Sequence, residues 1–189
     1  RVSSAPHPSL GREVRELLRR YDLRPRKALA QHFLVDRRVL RTVLAAADLV
    51  PTDTVVEVGP GLGILTSRLG ARAGRVVAVE PNPRVHSLLE RSVRINQLRD
   101  RVTVHRCAIA EAPGRLNFVC PQDDPALGHL EPLGFDGPDV EGERVEVAVE
   151  SLDRLLGDLD RIDLMKIDVE GHELQALRGG RQVIERHPV

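Results

Sequence analysis

Several residue types are scarce. The 189 residues include two cysteines, one methionine and no tryptophan, and aromatic side chains make up 2%. Cys107 and Cys120 lie thirteen positions apart, with no CxxC and no neighbouring histidine pair. That spacing excludes a disulfide framework and the usual zinc motifs, so both are expected to be ordinary thiols. With Tyr21 and Phe33 as the only aromatics of the amino end, stacking platforms for unpaired bases are missing. No apolar run approaches the ~20 residues of a membrane helix, and the opening residues lack the apolar centre of a secretory signal. A cytoplasmic protein with no membrane partner is therefore expected. Net charge of either sign is also absent, at a formal value of zero.

That zero hides an asymmetry. Residues 1–44 carry eleven Lys/Arg against four Asp/Glu, whereas the remainder carries seventeen against twenty-four. Hydrophobic residues at 41% and charged residues at 30% describe a folded globular chain with one core.

Leu10, Val14, Leu17, Leu18 and Tyr21 recur at helical spacing, and Asp36 is placed to cap a second helix carrying Val39, Leu40, Val43, Leu44 and Ala47. Thr54–Val58 reads as a strand stopped by glycines, Ile64–Leu69 as helix, and Arg75–Glu80 as a second strand. Helix from Pro83 and a third strand over Arg101–Cys107 follow. Residues 113–142 break this rhythm, with eight acids against one base from Pro121 to Glu146. The pattern predicts a loop-rich acidic insertion with short strands at Leu116–Val119 and Arg144–Val149, then a helical turn at Leu152–Leu156. Ile162–Asp168 reads as a fourth parallel strand, with helix soon after Gly171. Strand and helix alternating at this spacing predict a parallel sheet with helical crossovers.

Glu57-Val58-Gly59-Pro60-Gly61-Leu62-Gly63 places three glycines at the carboxyl end of the first strand, where a doubly wound sheet has its ligand crevice. The third glycine comes one residue too early for the G-x-G-x-x-G fingerprint, which argues against a nicotinamide dinucleotide. Glu80 ends the second strand twenty-one positions after Gly59, where a carboxylate accepts from both hydroxyls of a ribose.

Together, Glu57–Gly63 and Glu80 resemble motif I and the acidic residue of motif II in class I S-adenosylmethionine-dependent methyltransferases. Residues of about 25–80, with Gln31-His32-Phe33-Leu34-Val35-Asp36, resemble the opening of the ribosomal RNA adenine dimethylases. From about Val77 onward the chain resembles the FkbM-type methyltransferases. The residues carrying that likeness are Glu80-Pro81-Asn82-Pro83, Asn96, Ala108, Ser151-Leu152-Asp153 and Ile162-Asp163-Leu164-Met165-Lys166-Ile167-Asp168-Val169-Glu170-Gly171-His172-Glu173.

The resemblance implies an α/β fold: a Rossmann-like class I methyltransferase sheet with helices on both faces, lacking the last strands. A basic helical extension over residues 1–50 would pack on the cofactor site, and residues 51–189 would form the S-adenosylmethionine-binding domain, with the acidic insertion at about 113–148. The resemblance further implies that S-adenosylmethionine is held by His32, Leu34, Glu57, Gly59, Gly61, Gly63, Glu80, Pro81, Cys107, Ala108 and Asp168, with Asp168, Glu170 and His172 as catalytic candidates.

The dimethylases require an Asn-Leu-Pro-Tyr type motif after the fourth strand, where this chain has Asp168-Val169-Glu170-Gly171, and Cys107 stands where they use an acid. The expected acceptor is therefore a hydroxyl of a small molecule or glycan. Ribosomal RNA adenine N6-methylation is the alternative, and a non-catalytic S-adenosylmethionine-binding module is a third reading.

In the bland reading, Asp168 and Glu170 cap the next helix and His172 is simply exposed. Gly171 interrupts the Asp168, Glu170, His172 series, so no metal is expected. Lys166 is expected to be a solvated or salt-bridged stem, and Asp153 to order the turn after Ser151. A sheet edge left open at the fourth strand would offer pairing with a second copy.

Overall fold

Valine fills the middle of the sheet, as expected of strands covered on both faces. The computed structural model describes residues 36–121, 128–131, 142–169 and 171–187. The expected helix around residues 9–21 lies outside them. In chain order the elements are α1 (Arg37–Ala47), β1 (Thr54–Val58), α2 (Ile64–Gly70), β2 (Arg75–Val79), α3 (Pro83–Ile95), β3 (Val102–His105) and β4 (Ala108–Ile109). They continue with β5 (Gly114–Pro121), β6 (His129–Leu130), β7 (Gly142–Glu150), α4 (Leu152–Leu155), β8 (Leu164–Ile167), α5 (Glu173–Arg178) and α6 (Arg181–Arg186).

The first sheet runs β3-β2-β1-β8, and every neighbouring pair is parallel. Side chains alternate between its faces. Val55, Val76 and Val102 join Leu40 and Leu44 of α1, Ile64 and Leu69 of α2, and Val93 of α3. Val56, Val58, Val77 and Val79 turn the other way and meet Leu152, Leu156, Ala176 and Val183. The expected Rossmann-like sheet with helices on both faces is thus the one observed. Its helices start where capping chemistry allows. Asp36 accepts from the Arg38 N–H at 2.6 Å, Asn82 from Arg84 at 3.0 Å, and Ser151 from Arg154 at 3.3 Å.

Three elements differ from the sequence expectation. The region expected to be loop-rich is anchored by a long antiparallel pair, β5 with β7, in register from Gly114↔Val149 to Pro121↔Gly142. With β4 and β6 this pair forms a second sheet, β4-β7-β5-β6. Phe118, Cys120, Leu130, Val147 and Val149 supply its apolar face. The third strand is shorter than expected because the chain leaves the parallel sheet after His105 and enters the second sheet at Ala108. Beyond Gly171 helix forms in two pieces, interrupted at Gly179 and Gly180. Asp153 orders more than its own turn: its Oδ1 accepts from the Val183 N–H of α6 at 2.8 Å.

Candidate functional site

The strand order reverses between β1 and β8, the position at which doubly wound sheets generally take their ligands, outside the carboxyl ends of the strands. The loop after β1 holds Gly59, Gly61 and Gly63 at φ +73°, +55° and +74°, a region that disfavours side chains. Gly59 is wedged against the loop after β8. A Cβ there would lie 1.9 Å from the Asp168 carbonyl oxygen. The Gly59 N–H donates to Val79 O at 3.1 Å and the Asp168 N–H to Val58 O at 3.1 Å, so this bend ties β1, β2 and β8 together. Gly61 is the opposite case, because a Cβ there meets no atom of the described residues within 4 Å. Main chain at Gly61 thus has room beside it among the described residues, and Gly63 caps α2.

Beneath the bend lies a cluster of charge. Glu57 and Lys166 are register partners on β1 and β8, and Glu80 lies two residues beyond Ala78, the β2 partner of Glu57. Period-2 alternation therefore puts Glu57, Glu80 and Lys166 on one face of the sheet, all near its carboxyl end. Glu57 is 1% exposed and accepts from Thr66 Oγ1 at 2.6 Å. Burial raises its pKa, and that hydrogen bond and the Lys166 charge oppose the rise.

Glu80 is 7% exposed and accepts from the Asn82 N–H at 2.9 Å. Burial pushes its carboxyl up to about 7 against the opposing Asn82 and Gly61 N–H groups and the Lys166 charge. The Lys166 ammonium donates to the Gly59 carbonyl at 2.5 Å and pairs with Asp168 at 3.4 Å.

Of the other expected cofactor contacts, Pro81 is half-buried at the end of β2. Cys107 is buried in the apolar layer under the sheet, and burial, followed by the Glu150 charge, pushes its thiol up to about 11. Ala108 is buried in the second sheet. Asp168 is the most open acid of the group, its side chain 67% exposed. His172 is half-buried at the N-cap position of α5. His32, Leu34 and Glu170 lie outside the described residues.

Sequence reasoning missed two participants. Lys166 takes the salt-bridged form of its expected stem, paired with Asp168 and with its side chain 29% exposed, but its bond to the Gly59 carbonyl was not expected. A lysine within the apolar run Leu164–Ile167 was the available signal. Glu173, instead of Asp168, closes the loop before α5 by accepting from the Val169 and Gly171 N–H groups at 3.2 and 3.3 Å. Its pKa is lowered chiefly by its own backbone N–H, with burial opposing and those two donors and His172 adding to the lowering.

The arrangement fits a nucleoside-bearing cofactor. It offers half-buried main chain at Gly61 with room for a Cβ among the described residues, and a buried carboxylate beside it, at the carboxyl ends of the strands. A divalent metal finds no such match: among the described residues, no group of three or more His, Cys, Asp or Glu side chains is placed to hold one.

The Methyltransferase FkbM domain family matches residues 64–189. The crystal structure of Methyltransferase FkbM from Methylobacillus flagellatus KT is similar in fold, with a TM-score of 0.51 and 24% identity over 74% of this chain and 32% of that one. Ribosomal RNA small subunit methyltransferase A of Dehalococcoides mccartyi is 58% identical over 79 residues, or 42% of this chain and 26% of that protein. The protein of the same name from Corynebacterium diphtheriae is 36% identical over 157 residues, 77% of this chain and 52% of that protein. The chain thus spans between about a quarter and a half of the length of these curated relatives. With the family matched over two-thirds of its length and the glycine bend and Glu80 in their expected places, the chain belongs to the Methyltransferase FkbM domain family, within the class I S-adenosylmethionine-dependent methyltransferases.

Proposed function

We propose that the chain transfers a methyl group from S-adenosylmethionine to a hydroxyl of a small molecule or glycan. The observation that carries the cofactor half of this reading is the open face of Gly61 beside the buried Glu80 carboxylate. When bound, the cofactor supplies a sulfonium methyl that is already electrophilic. The chain then has to hold an acceptor oxygen in line with it and take the oxygen's proton.

Glu80 would accept from the ribose hydroxyls, and Gly61 leaves room for the sugar. The exposed Asp168 carboxylate, just beyond β8 and paired with Lys166, would receive the acceptor proton. Glu170 and His172 remain candidates for the same task. The second sheet would form part of the acceptor side.

Adenine N6-methylation of ribosomal RNA is the second reading, favoured by the two relatives named ribosomal RNA small subunit methyltransferase A. The Asp168-Val169-Glu170-Gly171 sequence favours the hydroxyl, because it offers carboxylates where an exocyclic amine would need an amide partner. A non-catalytic S-adenosylmethionine-binding module is the third reading.

Labelled-methyl transfer to a glycan and small-hydroxyl extract, run beside ribosomal RNA, tests the acceptor. Label in the first pool supports the proposal, and label in RNA supports the second reading. Label in neither, with tight binding of S-adenosylhomocysteine by calorimetry, leaves the binding module. Glu80→Ala should lose at least about tenfold in cofactor affinity, since a hydrogen bond to a charged group contributes ~1.5–3 kcal/mol. An unchanged affinity would remove Glu80 from the pocket.

A further inference from the structure

Lysine is an unusual residue for β8, the end strand of the described sheet, whose neighbours Leu164, Met165 and Ile167 pack against the two apolar layers, because the charge must be solvated or compensated. Lys166 is compensated three times over. Its ammonium donates to the Gly59 carbonyl at 2.5 Å, across 107 residues of sequence, and pairs with Asp168 at 3.4 Å. It also lies close enough to Glu57 and Glu80 for its charge to favour the ionised form of each. Gly59 is the residue whose backbone is pinned against the Asp168 carbonyl and held at φ +73°. A hydrogen bond to its carbonyl fixes the orientation of the Gly59–Pro60 peptide and therefore the course of the chain into Gly61.

We propose that Lys166 is a positioning residue of the cofactor hollow: its ammonium locks the glycine bend through the Gly59 carbonyl and supplies the positive charge against which Glu80 presents an anionic carboxylate to a ribose. This rests on the reading that the hollow takes S-adenosylmethionine. The groups facing Glu80 are the Asn82 and Gly61 N–H donors, Glu57 from β1, Lys166 from β8, and Cys120 from β5. Glu57 opposes ionisation of Glu80 and Lys166 favours it. Replacing Lys166 by a neutral side chain leaves the opposition and removes the support. The ionised carboxylate is the better acceptor for ribose hydroxyls, so cofactor binding should weaken as pH falls through the Glu80 titration, and that limb should move when Lys166 loses its charge.

The test measures S-adenosylhomocysteine binding by calorimetry from pH 5.5 to 9, with each variant's fold checked by circular dichroism. Lys166→Met should weaken binding by an order of magnitude or more at pH 7.5. It should also move the acid limb upward by about one pH unit, the lower end of the effect of a nearby opposite charge. Lys166→Arg keeps the charge and a donor, so the limb should stay at the wild-type pH with much of the affinity restored. Should Lys166→Met fail to fold, Lys166→Arg and Lys166→Gln still separate charge from packing, since the limb should move for glutamine and not for arginine.

A role confined to packing would lower affinity without moving the limb, and that result overturns the proposal. So does Lys166→Met binding as tightly as wild type. If wild type itself binds no S-adenosylhomocysteine at any pH, the cofactor reading fails first and this inference falls with it.

Discussion

Gly59 and Gly61 share a left-handed backbone but have opposite surroundings, so alanine at each should produce different defects. At Gly59 the added methyl would sit 1.9 Å from the Asp168 carbonyl oxygen, a backbone atom held by the Asp168 N–H bond to Val58. Left-handed backbone costs a non-glycine residue ~1–2 kcal/mol, and forcing extra volume into a packed site costs typically ~1–3 kcal/mol. Gly59→Ala should therefore lose about 2–5 kcal/mol, which for a chain of this size lowers Tm on the order of 10 °C.

At Gly61 the methyl meets none of the described residues, so Gly61→Ala should lose only the backbone part, about 1–2 kcal/mol. Its methyl would project into the space assigned to the cofactor, and affinity for S-adenosylhomocysteine should fall by about tenfold or more, the equivalent of ~1.4 kcal/mol. Urea denaturation and calorimetric titration of both variants check this. Equal destabilisation of the two, or a Gly59→Ala protein that melts with wild type, would refute the packing argument. Full-affinity binding by Gly61→Ala would refute the placement of the ligand.

Two further outcomes follow from buried titratable groups. The folded-state Glu80 carboxyl, at about 7, lies above its ordinary value of 4.5. The stability it contributes is complete below about pH 4.5 and lost as pH rises through 7, roughly 3 kcal/mol in all from ~1.36 kcal/mol per pH unit. Glu57 acts in the same direction. Denaturation midpoints of ligand-free protein between pH 5 and 8 should fall more steeply for wild type than for Glu80→Gln, and identical slopes would contradict the assignment. Cys107 and Cys120 are buried and burial raises both pKa values. A thiol reagent at pH 8 should therefore label neither in the native protein and both in denaturant, whereas rapid native labelling would show that these thiols are accessible.

Much of the parallel sheet was legible in the sequence because its signals are local. The valine runs of β1 and β2, the glycine punctuation after Val58, and Pro83 at the start of α3 each point one way. The β5–β7 pair was less legible. Its strands are split by a stretch rich in glycine, proline and acid, and their pairing spans from Gly114 to Val149, a distance no local pattern encodes. Of the site, the glycines and Glu80 were readable from spacing. The place of Lys166 was not, since it depends on which residue of β8 comes level with Glu57, and register between distant strands is set by tertiary packing.

The contact between Lys166 and Gly59 joins residues 107 positions apart, and this sets when the hollow can exist during folding. The segment through β3 already carries the three glycines and Glu80, yet among its described residues none is shown to bond the Gly59 carbonyl, and the Asp168 wall comes from β8. Long-range closures cost chain entropy before they are rewarded. The candidate site is therefore a property of the completed first sheet, and a half-made chain holds its motif without its shape.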